Sequence, residues 1–165
     1  MPWAGAITYI RRGEGWLSLS VVIDLFSRRI AGWSMQGHMR TAIVLDALTI
    51  TAGRPVPGRG VLSHSDRGSQ YTSDGYQTAP RGHGITCSMS REGNCRVDAV
   101  VESFLGTLNN ERLHRRPWPP HMEAMDAIHE HIEVFCNRQR RHSILDDRSP
   151  AGYEELDATT LTRAA

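Results

Sequence analysis

Val61-Leu62-Ser63-His64-Ser65-Asp66-Arg67-Gly68-Ser69-Gln70-Tyr71 is the stretch from which the rest of the chain is read. Its apolar start reads as a short strand, and it delivers Asp66 at the strand's end. Glu102 follows after thirty-five intervening residues. It lies in a segment where Val97, Val100, Val101, Phe104, Leu105 and Leu108 recur at i, i+3, i+4 and i+7, the spacing of an amphipathic helix. Asp98, Glu102 and Asn109 run along another line of that helix. A strand end and a helix face that bring two acids together outline a site for a hard divalent cation such as Mg²⁺. In isolation the two acids read more simply as a helix N-cap and a solvated helix residue, so the surrounding pattern must decide.

Upstream, three runs read as an antiparallel meander: Ala6 to Ile10, Trp16 to Leu25 and Ile30 to Met35, joined by short turns at Arg11 to Gly15 and Phe26 to Arg29. The period then changes. Val44, Leu45, Leu48 and Ala52 sit at helical spacing within Thr41 to Ala52, and Gly53 to Gly60 is a loop of glycines and prolines. Downstream of Tyr71, the expectation is a short helix within Ser73 to Gly82, limited by Pro80, then a fifth strand over Gly84 to Met89. Pro117, Pro119 and Pro120 end the helix that carries Glu102. A second long helix is expected over His121 to Arg141, with Met125, Ile128, Ile132, Phe135 and Cys136 inward. Trp3, Trp16 and Trp33 are expected in the core. This order of elements predicts an α/β domain, a five-stranded mixed sheet with helices on both faces. One domain over residues 1–156 with a polar tail at 157–165 accounts for the chain.

The composition of the 165 residues, 39% hydrophobic and 22% charged, is that of a soluble globular protein. No apolar run approaches the roughly 18 residues that a membrane span needs. The start, Met1-Pro2-Trp3-Ala4-Gly5-Ala6, has no basic region ahead of an apolar one and is not read as a signal peptide. Cys87, Cys95 and Cys136 lack metal-type spacing and suit thiols in a reducing cytosol. All nineteen basic residues are Arg. Arg forks onto phosphate oxygens, which is compatible with nucleic acid, although a GC-rich coding sequence explains the bias equally well. Charge is graded along the chain: net +4 over residues 1–60, +1 over 61–122 and −4 over 123–165. The Arg138, Arg140, Arg141 and His142 cluster closes the second long helix, where cations also favour the helix dipole.

Several motifs add up to a resemblance. They are Ile7-Thr8-Tyr9, Val21-Val22-Ile23-Asp24-Leu25-Phe26-Ser27-Arg28-Arg29, Gly32-Trp33-Ser34-Met35 and His64 to Ser73. Ser88-Met89-Ser90-Arg91, Gly93-Asn94-Cys95, Glu102-Ser103-Phe104 and Asn137-Arg138 to Arg141-His142-Ser143 continue them. With these, the chain resembles the catalytic core of bacterial insertion-sequence transposases of the OrfB type. These belong to the DDE superfamily that includes retroviral integrases. The resemblance covers nearly all of residues 3–155 and implies a ribonuclease-H-like fold. It implies DNA cleavage and strand transfer with two Mg²⁺ or Mn²⁺ ions, Asp66 and Glu102 being catalytic and metal-binding. It places Arg67, Gln70, Tyr71, Arg91, Asn94 and Asn109 against DNA. The partners implied are transposon ends and target DNA together with self-association, in a bacterial cytoplasm and on the nucleoid when DNA-bound, with no membrane.

The departures from the family pattern are as informative. The family has Asp before Ile-Thr-Tyr, and this chain has Ala6, so the first of three metal-binding acids is missing. Arg96-Val97-Asp98 stands where Trp-Asp-Asn is usual, and Asn109 where a basic residue is usual. The upstream helix-turn-helix region expected in the family is absent from this chain. The expectation is a truncated and catalytically impaired copy, with a non-catalytic DNA-binding or assembly module as the alternative. A ribonuclease-H-type nuclease is a third reading, which the His64 to Tyr71 motif disfavours. Asp24 and Asp98 are the acids to weigh as substitutes for the missing one.

Overall fold

The computed structural model describes residues 2–12, 15–37, 41–53, 61–65, 85–89, 95–113 and 121–164. The strands are β1 (Pro2–Arg12), β2 (Gly15–Asp24), β3 (Ile30–Gln36), β4 (Val61–Ser65) and β5 (Ile85–Met89). They form one five-stranded sheet in the order β3-β2-β1-β4-β5. The pairs β1–β2 and β2–β3 are antiparallel, whereas β4 runs parallel to both β1 and β5. The meander and mixed sheet expected from the sequence are therefore present. The short helix expected within Ser73 to Gly82 lies outside the described residues.

Strand alternation assigns the two faces of the sheet. Leu17, Leu19, Val21 and Ile23 of β2 join Ala4 and Ile10 of β1 in one buried cluster, completed by helical residues Val101, Leu108, Ile128, Ile132 and Cys136. Trp3 and Val22 turn to the other face and pack on Ile43, Val44, Ala47 and Leu48 of α1 (Thr41–Ala52). Helices thus cover both faces. Each such fully buried Ile or Leu side chain is worth about 1.5–3 kcal/mol, and this two-sided burial holds β2 at the centre of the core.

Small residues on the α1 face let the helix approach closely. Ser18, Ser20 and Thr51 are buried there, and Gly32 of β3 lies directly beneath the helix. A Cβ at Gly32 would meet the Ala47 carbonyl oxygen and Thr51 Oγ1 at 2.2 Å each. Neither can yield cheaply, because Thr51 Oγ1 donates to that same Ala47 oxygen at 2.8 Å. Gly32→Ala is expected to destabilise the chain by roughly 1–3 kcal/mol, the usual cost of overpacking. Urea unfolding of the variant measures this.

On the opposite face lie α2 (Cys95–Leu108), continued by a π-helical turn at Asn109–Leu113, and α3 (His121–Glu130), continued by a π-helical segment at His131–Gln139. The single α-helix expected over His121 to Arg141 is thus two kinds of helix. The wider turn is visible where Arg140 N–H donates to the Phe135 carbonyl, five residues back, at 2.7 Å. A 3₁₀ turn (Ser143–Leu145) leads to α4 (Pro150–Ala164), which continues through residues 157–164, read above as a polar tail.

Trp16 is the clear correction among the tryptophans. Trp3 is buried, but Trp16 is 58% exposed. It lies at the β1–β2 hairpin end, opposite Arg11. There it meets Tyr9 edge to face, with ring centroids 6.3 Å apart.

Candidate active site

The site expected from the sequence draws on β1, β4 and α2. β4 pairs with β1 in parallel, Ala4 standing opposite His64. Ala6 is two residues further along β1, and Asp66 follows Ser65, the last residue of β4, in the sequence. Ala6 shares the parity of Ala4 and packs, half-buried, against the core cluster that holds Val101 and Leu108 of α2. Position 6 is therefore on the sheet face that the Glu102 helix covers. Glu102 itself is exposed, and Asn109 is half-buried at the start of the π-helical turn. Asp66, Arg67, Gln70, Tyr71, Arg91 and Asn94 lie outside the described residues. Among the described residues, no group of three or more His, Cys, Asp or Glu side chains is placed to hold a metal ion. The alanine methyl at position 6 would offer no ligand to a metal ion bound there.

Of the two acids weighed as substitutes, the structure describes the side chain of Asp24 alone. Asp24 stands opposite Trp3 in the β1–β2 register, whereas Ala6 stands opposite Val21. Three residues of strand are about 10 Å. Asp24 Oδ1 is already engaged, accepting from Phe26 N–H at 2.8 Å. Asp98 falls within α2, and its side chain lies outside the described residues.

Asp24 instead sits beside a latch between the β2–β3 turn and α4. Ser27 Oγ donates to Glu154 Oε1 at 2.8 Å, and Arg29 donates to Glu154 Oε2 at 2.5 Å. Burial raises the Asp24 carboxyl above its ordinary range; the Phe26 N–H pulls it back and the Glu154 charge raises it again. The folded chain therefore holds this proton to higher pH than the unfolded chain does. Stability contributed here is greatest at acid pH and falls as pH rises through the raised folded value. Asp24→Asn keeps an acceptor for Phe26 and removes the buried charge. It is expected to raise the thermal midpoint at neutral pH and leave it unchanged at acid pH, which scanning calorimetry at both pH values checks.

A second arrangement was missed by sequence reasoning. Asn137 is buried in the π-helical segment, where its Oδ1 accepts from Ile30 N–H at 2.9 Å and its Nδ2 donates to Ile30 C=O at 3.1 Å. The Arg29 carbonyl accepts from Asp24 N–H, so by alternation the Ile30 groups point away from β2, at the open sheet edge. Register between β2 and β3 also shifts at Val22/Ile23, a bulge that lets Ile30 and Met35, of opposite parity, reach the same core. Nearby, Trp33 Nε1 donates to Glu133 Oε1 at 3.0 Å. The available signals were the place of Asn137 in the motif that runs to Ser143 and its position directly after the apolar stripe at Ile132 and Cys136; neither named its partner.

The basic cluster at the end of this helix divides. Arg138 and Arg141 are exposed, while Arg140 and His142 are half-buried and line a cavity beside α2. Burial lowers the His142 imidazole below its ordinary range, and the Arg140 and Arg28 cations lower it further.

Comparison with known proteins agrees with this architecture. The sequence matches the family described as "Integrase core domain" over residues 2–95, and a second family of the same description over residues 83–150. It is 42% identical over 156 residues to the transposase for insertion sequence element IS904 of Lactococcus lactis subsp. lactis (strain IL1403). That match covers 94% of this chain and 62% of the relative. It is also 42% identical over 152 residues to transposase InsF for insertion sequence IS3A of Escherichia coli (strain K12), covering 92% of this chain and 53% of that protein. The chain thus spans between about half and two thirds of these curated relatives. Among solved structures, the HTLV-2 integrase catalytic core domain in complex with magnesium (trimeric form) superposes with a TM-score of 0.67 at 18% identity. The superposition covers 92% of this chain and 94% of that one. At this identity the likeness shows the fold alone, ribonuclease-H-like α/β. The sequence and the sheet together place the chain in the integrase core domain family, with the insertion-sequence transposases.

Proposed function

We propose that this chain is the DNA cleavage and strand-transfer core of an insertion-sequence transposase, in a copy whose output is impaired at its metal site. The observation that carries the reading is Ala6, which packs on the sheet face covered by the helix that bears Glu102. In this reading Asp66 and Glu102 are the two remaining catalytic acids and would ligate Mg²⁺ or Mn²⁺. Arg67, Gln70, Tyr71, Arg91, Asn94 and Asn109 contact DNA, amides and guanidinium groups being suited to phosphate oxygens. The metal, when bound, supplies Lewis-acid stabilisation of the phosphoryl oxygens. The HTLV-2 core, solved with magnesium in dimeric and trimeric forms, supports both the metal and self-association. The transposase relatives support transposon ends and target DNA as partners. Among the described residues no helix is long and apolar enough to cross a membrane.

Ala6 also supports a second reading, a DNA-binding or assembly module that keeps the fold without the chemistry. Mn²⁺-dependent nicking of duplex DNA by the unmodified chain and by Glu102→Gln tests the proposal. Weak or no cleavage by the unmodified chain is expected. Robust cleavage that Glu102→Gln abolishes would overturn the impairment.

A further inference from the structure

The cavity beside α2 is not used by the proposed chemistry, and its lining is both apolar and basic. Its volume is about 310 Å³, within the range of small-molecule sites. Its apolar lining includes Ile23 of β2 with Val100 and Phe104 of α2. Its basic lining is Arg28, Arg140 and His142, which arrive from the β2–β3 turn and from the chain just beyond the π-helical segment. Arg140 spends one N–H on Thr107 Oγ1 at 3.2 Å, which leaves most of its donor fork available. Among the described residues the one ion pair is Arg29–Glu154, so no carboxylate answers Arg28, Arg140 or His142. The gathered charges are the two guanidinium groups; burial and both arginines depress the His142 imidazole, which favours its neutral form, still able to donate a hydrogen bond.

Like charges gathered beside apolar side chains repel, and an anion placed among them relieves the repulsion. A bare inorganic anion would leave the apolar lining uncovered, and a neutral apolar molecule would leave the charges unanswered. We propose that this cavity is a binding site for a small amphipathic carboxylate, with the carboxylate held by Arg28, Arg140 and His142. Its ring or branched apolar body lies against Ile23, Val100 and Phe104. None of Ala6, Asp66 and Glu102 is among the residues that line this cavity.

The test titrates the full chain with benzoate, benzamide and inorganic phosphate, followed by amide resonances in ¹H–¹⁵N spectra. Benzoate is expected to shift Val100, Phe104 and His142 saturably, with benzamide and phosphate each binding at least about tenfold more weakly. Arg140→Gln should weaken benzoate by a similar factor, while Arg138→Gln, two residues earlier and exposed, should leave it unchanged. Ala99→Phe, which fills the cavity from the α2 side, should abolish the shifts and is the control if Arg140→Gln fails to fold. Equal binding of benzoate and benzamide, phosphate binding as tight as benzoate, or shifts that survive Ala99→Phe would each overturn the proposal.

Discussion

Ala6→Asp is expected to raise Mn²⁺-dependent nicking of duplex DNA by this chain about a hundredfold or more, since metal stabilisation of a phosphoryl-transfer transition state is worth several kcal/mol. The reasoning begins with strand parity. Ala6 shares the face of Ala4 and Ile10, which is the face that α2 covers. A carboxylate there would emerge between β1 and the helix of Glu102, near the end of β4 from which Asp66 follows. Because Ala6 is only partly buried, the added acid need not displace core side chains, and the fold should tolerate it. Adding Glu102→Gln to Ala6→Asp should remove the gained activity. If Ala6→Asp folds normally and cleaves no faster than the unmodified chain, the missing acid is not what limits this copy.

The largest effect on stability is expected at Asn137. Asn137→Ala leaves the N–H and C=O of Ile30 without their side-chain partner at a buried sheet edge, and opens a small void. An unmade buried hydrogen bond costs about 1–3 kcal/mol, so a loss of roughly 3 kcal/mol is expected for the pair. In a domain of this size that corresponds to a fall in Tm of about 6–12 °C. Asn137→Asp is the sharper variant. Its carboxylate still accepts from Ile30 N–H but turns a like partial charge towards the Ile30 carbonyl, with Glu133 Oε2 already 3.5 Å from Nδ2. It should therefore destabilise the chain at neutral pH and recover partly as the acid protonates. An unchanged Tm for both variants would show that the edge of β3 is held by something else.

The contrast between these two positions shows what a sequence reveals. The meander, α1 and the Glu102 helix were legible because each rests on a local period: alternation in Leu17, Leu19, Val21 and Ile23, and helical spacing in Val97 to Leu108. The expectation that Ala6 stands in place of an acid rests on the residues around it, which carry the family's motif. The contact of Asn137 was not legible, because its partner, Ile30, lies 107 residues away and the contact is to backbone. The Glu154 latch is hidden for the same reason, its partners Ser27 and Arg29 lying 127 and 125 residues away. The exposure of Trp16 could not be read from β2, where the tryptophan opens a run of mostly apolar residues. It reflects the place of Trp16 at the β1–β2 hairpin end, opposite Arg11. The π-helical turns leave the apolar stripe intact, so periodicity alone reads them as ordinary helix.

The central claim is that β1 carries the fold of an integrase core without the acid that completes its metal site. Thermal unfolding of the unmodified chain and of Ala6→Asp across a Mn²⁺ titration tests it most directly, because a ligand bound only by the folded state stabilises it by RT ln(1 + [L]/Kd), about 2.7 kcal/mol at a hundred times Kd. The account predicts no saturable rise in Tm for the unmodified chain and a saturable rise for Ala6→Asp that Glu102→Gln removes. A saturable, Glu102-dependent rise of the same size in the unmodified chain would contradict it.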